Sequence, residues 1–301
     1  MTPVRPRPRT WSRSLEPLWY IGPAVLLLVL LIVFPSFFSL YHSFQHWDLE
    51  LGPNPLGFVG TQNYVHILSD PSFWSAAAFT LEFVVVAVGV QLVLGTVLAL
   101  LLDQRLPGTQ VARTLIIMPT AVAPVVAGFM FRYLFYPGSG LLHYAATLVG
   151  IPIPATGVFG SSTWAPLGVD LTDIWQWTPF VALVLLAGIQ GVPQEIIEAA
   201  RVDGASGVRI FWRIILPQLR FIVAIVLIIR LMQSFNVFDA VYAETMGGPG
   251  ATTTSLSYLL YENGLRYYNL GLAFAMAWLV TVLALVMENV YVVVAFRGIE
   301  L

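Results

Sequence analysis

The sequence predicts an all-α polytopic membrane protein with six transmembrane helices, and three observations carry that expectation. First, 58% of the 301 residues are hydrophobic and only 10% are charged, too little polar surface to clothe a water-soluble globule of this size. Second, the apolar residues fall into six runs long enough to cross a hydrocarbon core of about 30 Å. Third, all 14 basic residues are Arg, and they are spread unevenly about those runs. The Arg are too dispersed to form one basic face, which argues against nucleic acid as a partner. There is no Cys, so disulfides and thiolate metal sites are excluded and the redox compartment is left undetermined.

Residues 1–16 form a Pro/Arg-rich tail containing Arg5, Arg7, Arg9 and Arg13, a composition expected to be disordered and cytoplasmic. The first apolar run, Leu18 to about Tyr41, outlasts a signal-peptide core and lacks a small-x-small cleavage pattern, so it reads as a retained span. His42 to Ser72 carries Asp48, Glu50 and Asp70 but no Arg and reads as an outer loop. A second span, about Ser75 to Leu102, leads into a basic turn with Arg105 and Arg113. The third, about Thr114 to Phe135, contains Pro119 and Pro124, whose freed carbonyls neighbouring helices must satisfy. Tyr136 to Pro166 is again free of Arg and lies outside. The fourth span covers about Leu167 to Gln190 and the fifth about Phe221 to Val241. Glu244 to Tyr261 forms another outer loop, with Gly247-Gly248-Pro249-Gly250, and the sixth span runs from about Leu270 to Phe296 and ends at Arg297. The expected organisation is a tail (1–16), a first helix with its outer loop (17–74) and a five-helix core (75–301).

This topology puts eleven of the 14 Arg on one face, leaves Arg266 on the other, and places Arg132 and Arg230 within spans. The excess of positive charge assigns the Arg-rich face, and both termini with it, to the cytoplasm.

Between the fourth and fifth spans lies a charged stretch, residues 193–217. Pro193 suits the first turn of a helix, Glu195 and Glu198 favour its positive end, and Asp203-Gly204 provides a stop. Ala199, Ala200 and Ala205 keep one side low in relief for a partner's close approach. Ser206 then caps a second short helix, with Val208, Phe211, Ile214 and Ile215 toward lipid or neighbouring spans and Arg209 and Arg213 toward headgroups. Pro217 marks the bend into the fifth span. On spacing alone the stretch is either a site gripped by a soluble partner or an amphipathic connector lying on the membrane.

Glu198-Ala199-Ala200, Asp203-Gly204-Ala205, Phe211, Ile214 and Leu216-Pro217 resemble the EAA loop of bacterial ABC-importer permeases. Further stretches are similar to the carbohydrate-uptake branch, the maltose-permease F type: Phe58-Val59-Gly60 with Asn63-Tyr64, Arg113-Thr114 through Pro119, Asp173-Ile174-Trp175 with Thr178-Pro179, and Phe238-Asp239 leading to Gly247-Gly248-Pro249. The resemblance covers most of the chain from about Phe58 to Phe296. It implies the type I ABC-importer transmembrane fold in a bacterial or archaeal inner membrane, with Glu198, Ala199, Ala200, Asp203, Gly204, Ala205, Leu216 and Pro217 coupling to an ATPase. The partners it implies are a second, similar permease, two copies of a nucleotide-binding ATPase subunit and an extracytoplasmic solute-binding protein. ATP and Mg would then sit on the ATPase, and this chain binds no cofactor. The residues agree independently, because a Walker A loop needs a Lys and the sequence has none.

Intramembrane polar groups are expensive and become functional candidates. Asp173, Gln176, Trp177 and Thr178 stand beside Pro179 in the fourth span, and Gln233, Ser234, Asn236 and Asp239 bring similar chemistry to the fifth. An aromatic face flanked by hydrogen-bonding groups suits a carbohydrate, although each polar residue could instead tie helices together. The resemblance implies that Asp173, Gln176, Trp177, Phe180 and Ser234 line or adjoin the substrate pathway, with Trp177 departing from a small residue in the family. Arg230 and Glu82 are expected to pair with a neighbour or with the second permease, and Arg230 keeps an anionic cargo such as a sugar phosphate open. A catalytic role is disfavoured: His42, His46, His66 and His143 are scattered, with no HExxH and no GxSxG. The remaining rival is an ion-coupled secondary transporter using Glu82, Asp173, Asp239 or Glu288, a class that often shows inverted repeats, of which none is clear here.

Overall fold

The computed structural model describes residues 16–104 and 107–295. Residues 1–15 of the predicted tail, with Arg5, Arg7, Arg9 and Arg13, and Arg105 and Arg297 lie outside the described residues. The helices are α1 (Tyr20–His42), α2 (Gln62–Ser69), α3 (Pro71–Asp103), α4 (Thr109–Ala121), α5 (Pro124–Leu134), α6 (Leu141–Leu148), α7 (Trp164–Gln190), α8 (Gln194–Val202), α9 (Gly207–Phe235), α10 (Asp239–Glu244), α11 (Leu256–Tyr261) and α12 (Leu270–Ala295). Five helices are long and apolar enough to cross a membrane, or six if the bent pair α4 and α5 counts as one span.

The chain forms two compact units. One comprises the residues up to His66 together with Asn263–Trp278. Here α1 leaves every side chain from Tyr20 to His42 at least partly exposed, as suits a helix whose apolar surface meets lipid or another apolar helix. A two-stranded antiparallel ladder pairs Gln45 with Phe58 and His46 with Gly57. Asn63 fixes it by donating its Nδ2 to the carbonyls of Ser43 at 2.8 Å and Gln45 at 2.9 Å. The rings of Phe38, His42, Trp47 and Phe274 cluster beside this ladder.

The other unit holds Ile67–Glu262 and Leu279 onward. Its frame is α3, α7 and α9, and small residues mark the crossings. A Cβ placed on Gly95 would lie 2.7 Å from Val181 Cγ1 and 3.2 Å from the Ala182 backbone nitrogen, so α3 and α7 touch almost backbone to backbone. Gly188 plays the same part under Leu219 of α9, and Gly128 of α5 under Ala243 of α10. In a membrane, where helix association depends on packing and hydrogen bonding, such residues permit close approach.

Three sequence expectations change. The third span is not one kinked helix from Thr114 to Phe135: α4 and α5 meet at 97°, because Pro124 drives Ala123 to extended backbone (ψ 135°) and Val122 is extended as well. The second short helix after Ser206 is not separate. Ser206 Oγ accepts from Arg209 N, but the helix then runs on through a five-residue π turn, Phe211–Ile215, into the rest of α9. Pro217 therefore does not interrupt the helix, which continues unbroken from the π turn through it. The fifth span also ends early, at Phe235, and Asp239–Glu244 is a helix of its own.

Because the α3–α7 crossing has no room for a side chain, Gly95→Val is expected to cost about 1–3 kcal/mol by overpacking. Gly89→Ala on the same helix faces open space and should be neutral or stabilise by up to about 1 kcal/mol. Thermal unfolding of the detergent-purified chain checks the pair, and equal shifts would contradict the close crossing.

Candidate functional site

Two places in the second unit gather the polar residues singled out by sequence. The first is a cavity of about 110 Å³ lined by Thr172, Asp173, Gln176 and Trp177 of α7, Arg230, Gln233 and Ser234 of α9, Asn236 to Phe238 after it, Asp239 and Ala240 of α10, and Pro124 of α5. Its organising contact is an ion pair: Arg230 Nη2 donates to Asp173 Oδ2 at 2.7 Å. Gln91 of α3 closes the triangle, its Nε2 donating to Asp173 Oδ2 at 2.6 Å while its Oε1 accepts from Arg230 Nε at 2.8 Å. Arg230 also donates to Gln233 Oε1 at 2.6 Å and Ser234 Oγ at 2.9 Å, and its Cζ lies 5.0 Å from the Trp177 ring centre. Three spans are thus joined by one hydrogen-bonded group.

Taking two charges out of water costs several kcal/mol for each, which the pair offsets only when the remaining donors and acceptors are also satisfied. Gln91, Gln233 and Ser234 do that here. The predicted pairing of Arg230 with a neighbour is what the geometry displays, whereas Glu82 is exposed on α3. Sequence reasoning missed Gln91. Its signal was a lone amide in an otherwise apolar run, which on a lipid-facing side would have been costly.

Other expected cavity residues have different duties. Gln176 donates its Nε2 to the carbonyl of Val122 at 2.7 Å, satisfying the backbone freed where α4 and α5 break. Thr178 bonds back to the Ile174 carbonyl at 2.6 Å. Phe180 does not line the cavity; it meets Trp177 edge to face at 6.3 Å. Beside the cavity, Glu244 is buried, with Oε1 accepting from Thr172 Oγ1 at 2.5 Å and Oε2 without a partner among the described residues. Burial pushes the Glu244 carboxyl well above the ordinary carboxylate range.

The second place is α8. It ends in a Schellman motif: Ala205 N donates to Ala200 O at 2.9 Å, Gly204 N donates to Arg201 O at 3.0 Å, and Gly204 has φ +78°. Pro193 is the residue before the helix, at extended ψ, instead of lying in its first turn. Ile197 is buried, and Ala200 and Ala205 pack with it onto the cluster formed by Leu102 of α3, Leu185 and Ile189 of α7, and Ile210 and Leu219 of α9. Ala200 and Ala205 therefore face inward, a correction to their expected outward role. Glu195, Glu198, Ala199, Arg201, Val202 and Asp203 are exposed. Leu216 and Pro217 lie in α9, half-buried and exposed respectively. Among the described residues no group of three or more His, Cys, Asp or Glu is placed to hold a metal ion.

Residues 91–298 match the family described as the binding-protein-dependent transport system inner membrane component. The chain is 34% identical over 279 residues to the trehalose transport system permease protein SugA of Mycobacterium tuberculosis, covering 90% of this chain and 87% of that protein. It is 35% identical over 252 residues to the trehalose/maltose transport system permease protein MalF of Thermococcus litoralis, covering 83% and 82%. Among solved structures, a chain of a bacterial alginate ABC transporter in complex with its alginate pentasaccharide-bound periplasmic protein superposes with a TM-score of 0.80 at 20% identity, covering 98% of this chain and 100% of that one. At that identity the likeness speaks for the fold.

Two predictions follow from the geometry. Arg230→Leu and Asp173→Ala should each destabilise the chain by about 3–5 kcal/mol, because either leaves an uncompensated buried charge. The double variant should cost well under their sum, and additive losses in a thermal-unfolding cycle would show that the two do not interact. For Glu244 the folded carboxyl holds its proton where the unfolded one has lost it. The associated stability is complete below the unfolded value near 4.5 and drains away as pH rises toward the raised folded value. Glu244→Gln should therefore gain on the parent chain as pH is raised from 5 to about 8, and parallel curves would count against a protonated Glu244.

Proposed function

Because the chain belongs to the family of binding-protein-dependent transport system inner membrane components, we propose that it is the permease subunit of an ATP-driven importer of a carbohydrate. It contributes half of the translocation pathway and couples through residues 193–217 to an ATPase. Partners are a second, similar permease, two copies of the ATPase subunit and an extracytoplasmic solute-binding protein. ATP and Mg belong to the ATPase, and both termini of this chain are cytoplasmic. The cargo class follows from the trehalose and trehalose/maltose relatives and from a cavity that combines an indole face with hydrogen-bonding groups.

The observation that carries the coupling reading is the construction of α8. Its exposed side carries Glu195, Glu198, Arg201 and Asp203 beside Ile196 and Val202, while Ile197, Ala200 and Ala205 anchor it to the cluster that α3, α7 and α9 share. A partner that grips the outer face moves those spans as rigid bodies. When two ATPase subunits close on ATP, the two coupling helices of the paired permeases are drawn together and the pathway opens outward to accept cargo from the binding protein; hydrolysis reverses the movement.

The cavity volume fits a shared pathway. Its 110 Å³ is room for about three or four waters, and sites for drug-sized ligands usually need about 300–1,000 Å³. The remaining wall comes from the second permease, together with the opening of the pathway.

Gentle purification of the tagged chain should recover a P-loop ATPase, a second permease and a solute-binding protein. The reconstituted complex should take up a trehalose- or maltose-class sugar only with ATP. Gly204→Val forces a branched side chain into the left-handed region. It is expected to lower uptake and cargo-stimulated ATPase at least tenfold with membrane insertion intact, and unchanged uptake would remove α8 from the coupling path. Uptake by the lone chain, driven by an ion gradient without ATP, would overturn the whole reading.

A further inference from the structure

The charge at the cavity is arranged asymmetrically. Both residues of the ion pair line the cavity, but the Arg230 side chain is only 1% exposed against 14% for Asp173, so the carboxylate is the more accessible charge of the pair. Four of the guanidinium's five N–H donors are committed, one each to Gln91, Gln233, Asp173 and Ser234. One ring face of Trp177 covers the group as well. Strong recognition of a carboxylate, sulfonate or phosphate by Arg uses two parallel donors along one edge of the guanidinium. Every edge of Arg230 already has a committed member.

On the other side of the pair, Gln91 and Arg230 both donate to Asp173 Oδ2. Asp173 Oδ1 receives no side-chain hydrogen bond among the described residues, which leaves it as an acceptor for a hydroxyl. Asp239 lines the same cavity and is exposed, adding a second carboxylate. A negatively charged cargo would meet two like charges and one cation whose donors are nearly all committed, and like charges brought together in a poorly solvated site repel strongly. A neutral polyol can donate to Asp173 Oδ1 and lay a C–H face against the half-exposed Trp177 indole.

We propose that this cavity passes uncharged, hydroxyl-rich cargo and excludes anionic sugars, with Asp173 as the residue that sets the selection. The proposal rests on the importer reading above and narrows its cargo.

The test uses the complete transporter with its own partners. Proteoliposomes are first offered a panel of neutral sugars and the matched uronates, sugar sulfonates and sugar phosphates. The transported sugar and its C6-oxidised uronate are then presented, without the binding protein, to the complex in lipid nanodiscs, and binding is read by saturation-transfer NMR. The expected result is uptake of neutral members only, and a binding signal at least tenfold stronger for the neutral sugar than for its uronate. Asp173→Asn should reduce that preference at least tenfold. Should Asp173→Asn fail to assemble, the Asp173→Asn/Arg230→Gln double variant, which removes both charges together, should also lose most of the preference. Uptake of an anionic member, equal binding of the two forms by the parent complex, or a preference unchanged in whichever variant assembles would each overturn the selection. ATP-dependent uptake of no sugar at all would instead overturn the importer reading, so the two failures are distinguishable.

Discussion

A cation buried within a membrane span dictates much of the second unit's construction. The Arg230 side chain is 1% exposed on α9, and its cost is tolerable only while Asp173, Gln91, Gln233 and Ser234 all hold their positions. Those residues come from three different spans. The helices must therefore keep their mutual register to within the tolerance of a hydrogen bond, a few tenths of an ångström. The glycine crossings of α3 with α7 and of α7 with α9 bring the backbones near enough for short side chains such as Ser234 and Asp173 to take part. Packing and electrostatics here enforce one arrangement, and neither alone would specify it.

That rigidity bears on the proposed coupling between α8 and the cavity. The side chains beneath α8 belong to α3, α7 and α9, the same helices that the Arg230 group ties together. On the coupling reading, a displacement of α8 would be carried by these packed side chains toward the wall of the cavity. The connection is short: the Schellman turn at Gly204 ends α8, and Ser206 caps the start of the next helix. The polar outer face of α8 remains available to a partner because only Ile197 of its own nine residues is fully buried.

Much of this was legible in the sequence, because apolar run length and Arg asymmetry are direct consequences of the bilayer. The polar positions of α7 and α9 were legible for the same reason, each being costly where it stands unless it is used, whereas the motif residues of the loop were legible through their resemblance to the EAA loop. What escaped was relational. Nothing in the sequence around Gln176 says that its amide will serve the Val122 carbonyl 54 positions away, and nothing around Gln91 says that it bridges an ion pair between two other helices. The inward turn of Ala200 and Ala205 was hidden because alanine suits a partner's surface and a tight internal contact equally well. Pro217 misled because the hydrogen-bond shift that accommodates it, a π turn, carries no residue signature of its own.

The breaks in the helices complete the argument about where transport chemistry can occur. Backbone that leaves a helix inside a bilayer exposes carbonyls that hydrocarbon cannot satisfy, so it survives only where side chains or a water-filled cavity receive it. This chain breaks twice near the cavity, at Val122-Ala123 and after Phe235. Each break has its own provision: Gln176 serves the Val122 carbonyl and Ser255 donates to the Val237 carbonyl at 2.6 Å. Pro124, Asn236, Val237 and Phe238 at these breaks all line the cavity. A polar pocket in a membrane is thus made from interrupted helices, because the same interruption that opens space between side chains supplies backbone groups that need polar company. Arg230, held by its partners against the helix that carries Trp177, supplies the fixed point about which those interrupted segments are arranged.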